Sequence, residues 1–315
     1  MSHESSALTR RGFLAALPAA GLLAAARPAP AAAKQPERLI VDSQVHIWLA
    51  HGAETPWPNK DAVPHMPVPF PLEQLVPMMA EAGVDRAVLV PPSWFGPRHG
   101  NAYALQAARE YPRRFGVMCI GITLDQPENE RLVSTVREQG YLGLRVTMNR
   151  DLIRKGAGDW LFAAAERAGV PIHFLASGAH TEVGMVAEKY PGLTMIVDHF
   201  GISEAFMKAN PHTWRDEVKV VAGLARYPNV SVKVSSAPFL SSQSYPWRDT
   251  FPLIERCYDA FGPFRCHWGT DLTHSFDKAS YRLRITQFTE ELPFLSESDK
   301  DWIMGRSLLA RLRWA

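Results

Sequence analysis

Apolar and polar positions follow a repeating order along the chain, in which a short β-branched run is followed by a helix-like segment. The runs predict eight strands, and most lack polar alternation, which is typical of parallel strands covered on both faces. The predicted strands are 39–45, 86–90, 115–120, 142–147, 170–176, 193–197, 230–235 and 265–269. The predicted helices are 72–82, 101–111, 128–139, 159–168, 181–190, 214–226, 249–260 and 278–290.

Eight β-α units over residues 38–315 predict a single α/β domain, a (β/α)8 TIM barrel. The alternative is a doubly wound open sheet. The strand number favours the barrel, and no Gly-x-Gly-x-x-Gly turn follows the first strand. A phosphate-loop motif and a Gly-x-Ser-x-Gly motif are also absent from the sequence, so nucleotide-binding and serine-hydrolase functions lack support.

The first 33 residues form a segment of a different kind. Arg10 and Arg11 precede an apolar run at 12–26, and small residues with Ala-x-Ala spacing follow. This order predicts a cleaved twin-arginine-type signal peptide over 1–33, with the twin-arginine export machinery as a partner and a periplasmic or secreted location. The run contains a proline and a glycine and is too short for a transmembrane anchor.

Charge and cysteine content exclude few further functions or structures. Removal of residues 1–33 takes away three arginines and one glutamate, which lowers the formal net charge from +2 to 0. A neutral chain without a basic stripe argues against nucleic-acid binding. The three cysteines leave both one disulfide and three buried thiols open, and a homodimer also stays open.

Polar residues collect where predicted strands end, which is where TIM barrels carry their catalytic groups. A bare charge inside a strand is costly, so these residues as a set indicate a site. They are Gln44 and His46 on strand one, Arg145 on strand four, His173 on strand five, His199 on strand six, Lys233 on strand seven and Asp271 on strand eight. We expect three other histidines to be surface or loop residues, namely His180, His267 and His274. The proline-rich stretch 51–71 is a long loop of the kind that is often functional.

The segments around these residues resemble the amidohydrolase-related (amidohydrolase 2) family of barrel hydrolases. They read "IVDSQVHIW" on strand one, "VDHFG" on strand six and "WGTDLT" on strand eight, and the resemblance runs from about Leu39 to Trp314. The family includes lactonases acting on dicarboxylate pyrones, sulfomuconolactone and sugar lactones, and some non-oxidative decarboxylases.

The resemblance implies roles for individual residues. Asp271 matches an aspartate that binds metal or acts as general base, His199 matches the sixth-strand histidine, and His46 matches the second histidine of the first-strand pair. Gln44 stands where the first histidine of that pair usually is, and His173 is displaced from the fifth-strand ligand. The expected metal ligands are therefore His46 and Asp271, with His173 as a further candidate. Glutamine cannot match imidazole as a zinc ligand, so we expect either no metal or one weakly bound divalent ion, zinc or manganese.

The expected activity is hydrolysis of a lactone or ester of a small carboxylate-bearing substrate. Asp271 would activate water, while His46 and His199, helped by Gln44, would polarise the carbonyl. Four further residues are expected to contact the substrate. Arg145 and Lys233 would bind its carboxylate, and Tyr245 and Trp48 would line the pocket. The alternatives are a metal-dependent non-oxidative decarboxylase and a catalytically weak periplasmic ligand-binding relative.

Overall fold

The eight apolar runs become the strands of one parallel sheet in the computed structural model, which describes residues 38–59 and 61–315. Neighbouring strands pair in chain order, so the sheet curls into a barrel. The strands are β1 Val41–Val45, β2 Arg86–Leu89, β3 Phe115–Cys119, β4 Gly143–Thr147, β5 Ile172–Leu175, β6 Met195–Val197, β7 Val230–Ser235 and β8 Cys266–Gly269.

Helices follow the strands and cover the outside of the barrel. The longer helices bury an apolar face, as α10 does with Leu253, Ile254, Cys257 and Phe261 at helical spacing. The helices are α1 Leu72–Ala82, α2 Pro97–Glu110, α3 Glu130–Thr135, α4 Arg150–Arg154, α5 Asp159–Ala168, α6 His180–Lys189, α7 Glu204–Ala209, α8 Glu217–Gly223, α9 Ala237–Leu240, α10 Phe251–Phe261, α11 Tyr281–Thr286, α12 Glu297–Asp301 and α13 Ser307–Leu312.

The predicted (β/α)8 barrel is confirmed, and each predicted strand overlaps one strand of the structure. The predicted helices 72–82 and 159–168 coincide with α1 and α5. Helix α2 begins four residues earlier than predicted, at Pro97, because proline is favourable in a first helical turn. Three short helices in the loops after strands, α4, α7 and α9, were not predicted, since each has only four to six residues.

A buried carboxylate joins the first strand to the last. Asp42 Oδ1 accepts hydrogen bonds from the backbone N–H groups of Gln44 (3.0 Å) and Thr270 (2.9 Å), and Oδ2 accepts from the hydroxyls of Thr270 and Tyr281. At the same seam, a Cβ on Gly269 would lie 2.2 Å from Ser43 Oγ, so only glycine permits this approach of β8 to β1. These contacts hold the ends of β1 and β8 together.

The barrel interior has an apolar part and a polar part. Val41, Val88, Met118 and Ile196 form an apolar cluster that Leu308 of α13 extends. The polar part contains His173, Lys233, Asp198 and His267, all with zero exposure. The pairing of β1 with β2 shifts between residues 42 and 45. Such a bulge re-aims side chains, and it lets Val41 and Gln44, three residues apart, both face inward.

Several predictions outside the site can be compared with this fold. The signal peptide predicted over 1–33 lies outside the described residues. No helix in the described part of the chain is long and apolar enough to cross a membrane. All three cysteines are buried free thiols. The prediction that His180 and His267 are surface or loop residues is wrong, because both are buried, on α6 and β8, and hydrogen bonded, to Glu217 and Ser307 respectively.

Candidate active site

The carboxyl ends of β6, β7 and β8 carry a strained backbone. His199, Ser236 and Asp271 have φ values of 48°, 63° and 47°, although none of them is glycine. Residues with side chains rarely adopt this left-handed region, and such strain concentrates at functional sites. In each case the unusual backbone turns a polar side chain towards the same point above the barrel.

The amide of Gln44 has only one possible orientation. Lys233 Nζ lies 2.8 Å from Gln44 Oε1, and because an ammonium group only donates, that atom must be the oxygen. The amide NH2 group therefore lies 2.8 Å from His199 Nε2 and 3.5 Å from His46 Nε2. Since NH2 only donates, both ring nitrogens face it with lone pairs.

A directed series of hydrogen bonds runs from Gln44 to Asp271. Because His199 Nε2 accepts from Gln44, its proton is on Nδ1, which lies 2.8 Å from Ser235 Oγ and 3.0 Å from Ser236 Oγ. Ser236 in turn donates to Asp271 Oδ2 at 3.2 Å. Burial lowers the pKa of His199 to about 4, which agrees with a neutral ring. In this tautomer the N–H group of His199 points at the serines, whereas the sequence-based prediction has it as a donor to the substrate carbonyl.

The other oxygen of Asp271 is left without a hydrogen-bond donor. Asp271 Oδ1 lies 2.9 Å from His46 Nε2, yet it accepts no hydrogen bond from any described residue. His46 Nδ1 donates to the carbonyl oxygen of Val90 at 2.5 Å. A lone pair on Nε2 thus faces a carboxylate oxygen, which requires a proton or a cation between them. A metal ion fits this pair, because metal-binding histidines donate their other N–H group in the same way.

Two histidines beside Asp271 were not among the predicted site residues. His274 lies in the turn after β8, as its loop prediction allows, but its Nδ1 lies 3.2 Å from Asp271 Oδ2 and its side chain is only 17% exposed. His65, in the loop 51–71, forms with His46 and Asp271 a group whose ligand atoms all lie within 4.8 Å of one another. The length of that loop was the one sequence signal for His65.

The charges around these groups set their protonation. Burial would raise the pKa of Asp271, but His199 and a hydrogen bond from His274 hold it well below its ordinary value. Burial lowers the pKa of His65 to about 3, so its ring is neutral. For His274, burial lowers the pKa, but Asp271 and the nearby Glu204 outweigh it and raise the pKa. The site therefore combines the ionised carboxylate of Asp271 with neutral rings at His65 and His199 and with His274, whose pKa is raised.

An ion cluster lies beneath the site. Lys233 Nζ lies 2.7 Å from Asp198 Oδ1, and Arg145 Nε donates to Asp198 Oδ2 at 3.2 Å. Burial would raise the pKa of Asp198, but the two cations hold it well below its ordinary value. The carboxylate therefore stays ionised and compensates the charge of the buried ammonium group.

A cavity of about 180 Å³ opens above the cluster. This volume is small for a ligand pocket and suits a single-ring molecule. Its wall includes Gln44, His46, His199, Asp271 and Arg145, together with His65, Trp94, Glu204, Ser236, Phe239 and His274. No described residue accepts a hydrogen bond from the Nη groups of Arg145. The structure thus brings five of the sequence-predicted residues to one cavity.

Four other sequence-predicted residues do not reach that cavity. Lys233 has zero exposure, and its ammonium group is engaged by Gln44 and Asp198. Trp48 is fully buried against Phe70 and Trp94. Tyr245 instead packs on Trp247 and bonds Thr286. His173 is buried in the barrel interior, and neither ring nitrogen has a partner among the described residues. It lies outside the group formed by His46, His65 and Asp271.

Known proteins share both the sequence pattern and the fold. The amidohydrolase family model matches residues 41–306. The 4-sulfomuconolactone hydrolases of Hydrogenophaga intermedia and Rhizobium radiobacter are 27% and 24% identical to this chain. The first alignment covers 74% of both chains, and the second covers 74% of this chain and 75% of its relative.

Solved structures with the same fold have lower identity. An amidohydrolase from Burkholderia multivorans with bound zinc has a TM-score of 0.68 at 19% identity, covering 87% of this chain and 99% of its own. A probable 2-pyrone-4,6-dicarboxylic acid hydrolase from Acinetobacter baumannii with citric acid bound has a TM-score of 0.67 at 16% identity, with the same coverage of both chains. A 5-carboxyvanillate decarboxylase from Novosphingobium aromaticivorans, complexed with manganese, has a TM-score of 0.62 at 17% identity. That match covers 88% of this chain and 96% of the decarboxylase chain.

Replacement of Asp198 tests whether the buried ion cluster supports the site. We expect Asp198→Asn to lower the free energy of unfolding by about 3–5 kcal/mol, because it leaves the ammonium group of Lys233 buried without a counter-charge. Urea denaturation at pH 7 measures this loss. Asp216→Asn, which removes an exposed ion pair with Lys219, is the control and should change stability little.

Comparison of the wild-type chain with Asp198→Asn also predicts that the stability difference between them depends on pH. The folded-state pKa of Asp198 is below its unfolded value, so its contribution is present above about pH 4 and is lost as the pH falls further. The stability difference between the wild-type chain and Asp198→Asn should therefore shrink on acidification. A difference that stays constant between pH 7 and pH 3 would contradict this assignment of charge.

Proposed function

Because the chain belongs to the amidohydrolase family, we propose that it hydrolyses the lactone ring of a small substrate that carries an anionic group. The observation that supports this most directly is that Asp271 lines a cavity of single-ring size and has one oxygen that accepts no hydrogen bond from a described residue. Similarity to two 4-sulfomuconolactone hydrolases also supports a lactone as substrate. Export by the twin-arginine route is part of the proposal and rests on the sequence of residues 1–33 alone.

Asp271 would be the proton acceptor of the reaction. Its Oδ2 is held by Ser236 and lies beside His274, whereas Oδ1 accepts no hydrogen bond from a described residue and lies 2.9 Å from His46 Nε2. Asp271 takes a proton from water as the water oxygen attacks the lactone carbonyl carbon. The ring C–O bond then breaks, and Asp271 returns the proton to the leaving ring oxygen, which yields an open-chain hydroxy acid.

Gln44 and His199 would keep Asp271 in its reactive position. Neither needs to touch the substrate carbonyl, because their hydrogen bonds end on Ser236 and Asp271. His46 contributes a lone pair opposite Asp271 Oδ1. A divalent ion bound between His46 and Asp271 would supply Lewis acidity for the lactone carbonyl.

Arg145 would bind the anionic group of the substrate. Its Nε is held by Asp198, and the residue lines the cavity wall. A second cavity, of about 220 Å³, adjoins the first, and Arg145, Pro91 and Ser93 line both. A guanidinium group in this position can grip a carboxylate or sulfonate through two parallel hydrogen bonds.

A metal-dependent decarboxylase is the second candidate. One specific observation favours it: His46, His65 and Asp271 could hold an ion together, and the manganese-bound neighbour is named as a decarboxylase. The two reactions have different products, since decarboxylation releases carbon dioxide and lactone hydrolysis consumes water. Mass analysis of the product therefore separates them.

Replacement of Asp271 tests its role as base. We expect Asp271→Asn to lower kcat for a small anionic lactone by about 10²–10⁴-fold, the range that general-base catalysis contributes, while the far-ultraviolet dichroism stays unchanged. Asp277→Asn, an exposed acid nearby in the chain, is the matched control. Hydrolysis by Asp271→Asn at a rate near that of Asp277→Asn would exclude Asp271 as the base.

Replacement of Arg145 tests the substrate class. Loss of a hydrogen bond to a charged group costs about 1.5–3 kcal/mol, so we expect Arg145→Met to lower kcat/KM for an anionic lactone by about 10- to 150-fold. A neutral lactone of the same ring should be affected much less. Arg150→Met, at an exposed position on α4, serves as control. An equal loss with both lactones would mean that Arg145 acts only through the fold.

A further inference from the structure

Two acceptor atoms face each other at the centre of the site without a hydrogen between them. The Nδ1–H group of His46 is used by the carbonyl of Val90, so Nε2 presents a lone pair. That lone pair lies 2.9 Å from Asp271 Oδ1, which accepts no hydrogen bond in the described part of the chain. Atoms in this relation repel unless a positive charge lies between them, and a divalent cation is one way to supply it.

The neighbouring polar groups cannot complete a metal site. Gln44 Oε1 is occupied by the ammonium group of Lys233, and its NH2 group cannot bind a cation. The lone pair of His199 Nε2 is occupied by that NH2 group at 2.8 Å. Both side chains that line the strand ends next to His46 are therefore committed to hydrogen bonds, and a third ligand must come from elsewhere.

His65 comes from the loop 51–71 and meets this need. One of its ring nitrogens belongs to the group of ligand atoms that lie within 4.8 Å of one another, together with His46 and Asp271. Its Nδ1 lies 3.1 Å from Thr273 Oγ1, just as Nδ1 of His46 is held by Val90. The ring is fixed further by stacking on His274, with centroids 4.5 Å apart.

We infer that His65 is the third protein ligand of a single divalent ion held with His46 and Asp271, and that this loop histidine replaces the strand ligand that Gln44 cannot provide. Both imidazoles have one nitrogen anchored by an oxygen atom, which is the outer-shell arrangement that orients histidine ligands. Three protein ligands leave a coordination position open, as in catalytic zinc sites. The set of two histidines and one carboxylate suits zinc and similar ions.

Metal binding to the purified chain, after treatment with a chelator, tests this inference. Zinc affinity is measured by competition with a chromogenic chelator, and cobalt binding by its visible absorption. We expect one equivalent of either ion in the wild-type chain. Loss of an outer-shell partner alone costs about 10–100-fold in metal affinity, so His65→Ala, which removes a direct ligand, should cost at least about 100-fold.

Two further variants separate ligation from loop structure. Met66→Ala changes the adjacent residue, which is 61% exposed, and should bind zinc as the wild-type chain does. His65→Cys should recover part of the affinity and add an intense near-ultraviolet absorption from cobalt bound to a thiolate, which only a direct ligand can produce. Circular dichroism confirms that each variant is folded.

The inference is overturned if His65→Ala binds zinc as tightly as Met66→Ala, or if the wild-type chain binds neither ion. It is also overturned if cobalt-loaded His65→Cys lacks the thiolate band. Because the readout is ion binding, failure to hydrolyse any lactone would overturn the proposed function and leave this result intact.

Discussion

The buried ammonium group of Lys233 is the constraint on which the rest of the site depends. It has zero exposure, and it donates to Gln44 Oε1 while lying 2.7 Å from Asp198. Because an ammonium group has no acceptor, it determines which end of the Gln44 amide faces His199. The tautomer of His199, the hydroxyl direction of Ser236 and the free oxygen of Asp271 follow in turn. One charge under the cavity thus orients the groups above it.

The structure supports this arrangement with energetically costly features. A buried ion pair is expensive to desolvate, and positive φ angles at non-glycine residues add strain. The junction of β1 and β8 holds the strand ends in place, since Asp42 accepts hydrogen bonds from both sides and from Tyr281, although burial raises the pKa of its carboxyl. Its position beside Gln44 and Asp271 links the closure of the barrel to the placement of the reacting groups.

Sequence patterns were sufficient for the barrel and for the residues at its strand ends. Apolar runs mark the strands, and catalytic groups of barrels stand at the ends of strands, so Gln44, His46 and Asp271 could be found without coordinates. The depth of individual side chains within the barrel could not be predicted. The inward direction of Gln44 depends on a register shift in β1, and Lys233 lies below the cavity wall. The positions of His65, Trp48 and Tyr245 depend on the paths of loops and on packing between distant segments, which no local pattern encodes.

The protonation of His199 tests this description of the site most directly. Nitrogen NMR of the chain labelled with ¹⁵N-histidine, with the signals assigned through His199→Gln, reports which ring nitrogen carries hydrogen. At pH 7 we expect a neutral ring with the proton on Nδ1 and a bare Nε2, since burial lowers the pKa to about 4 and Gln44 donates to Nε2. A proton on Nε2, in either the other tautomer or the imidazolium form, would contradict the proposed direction of every hydrogen bond from Lys233 to Asp271.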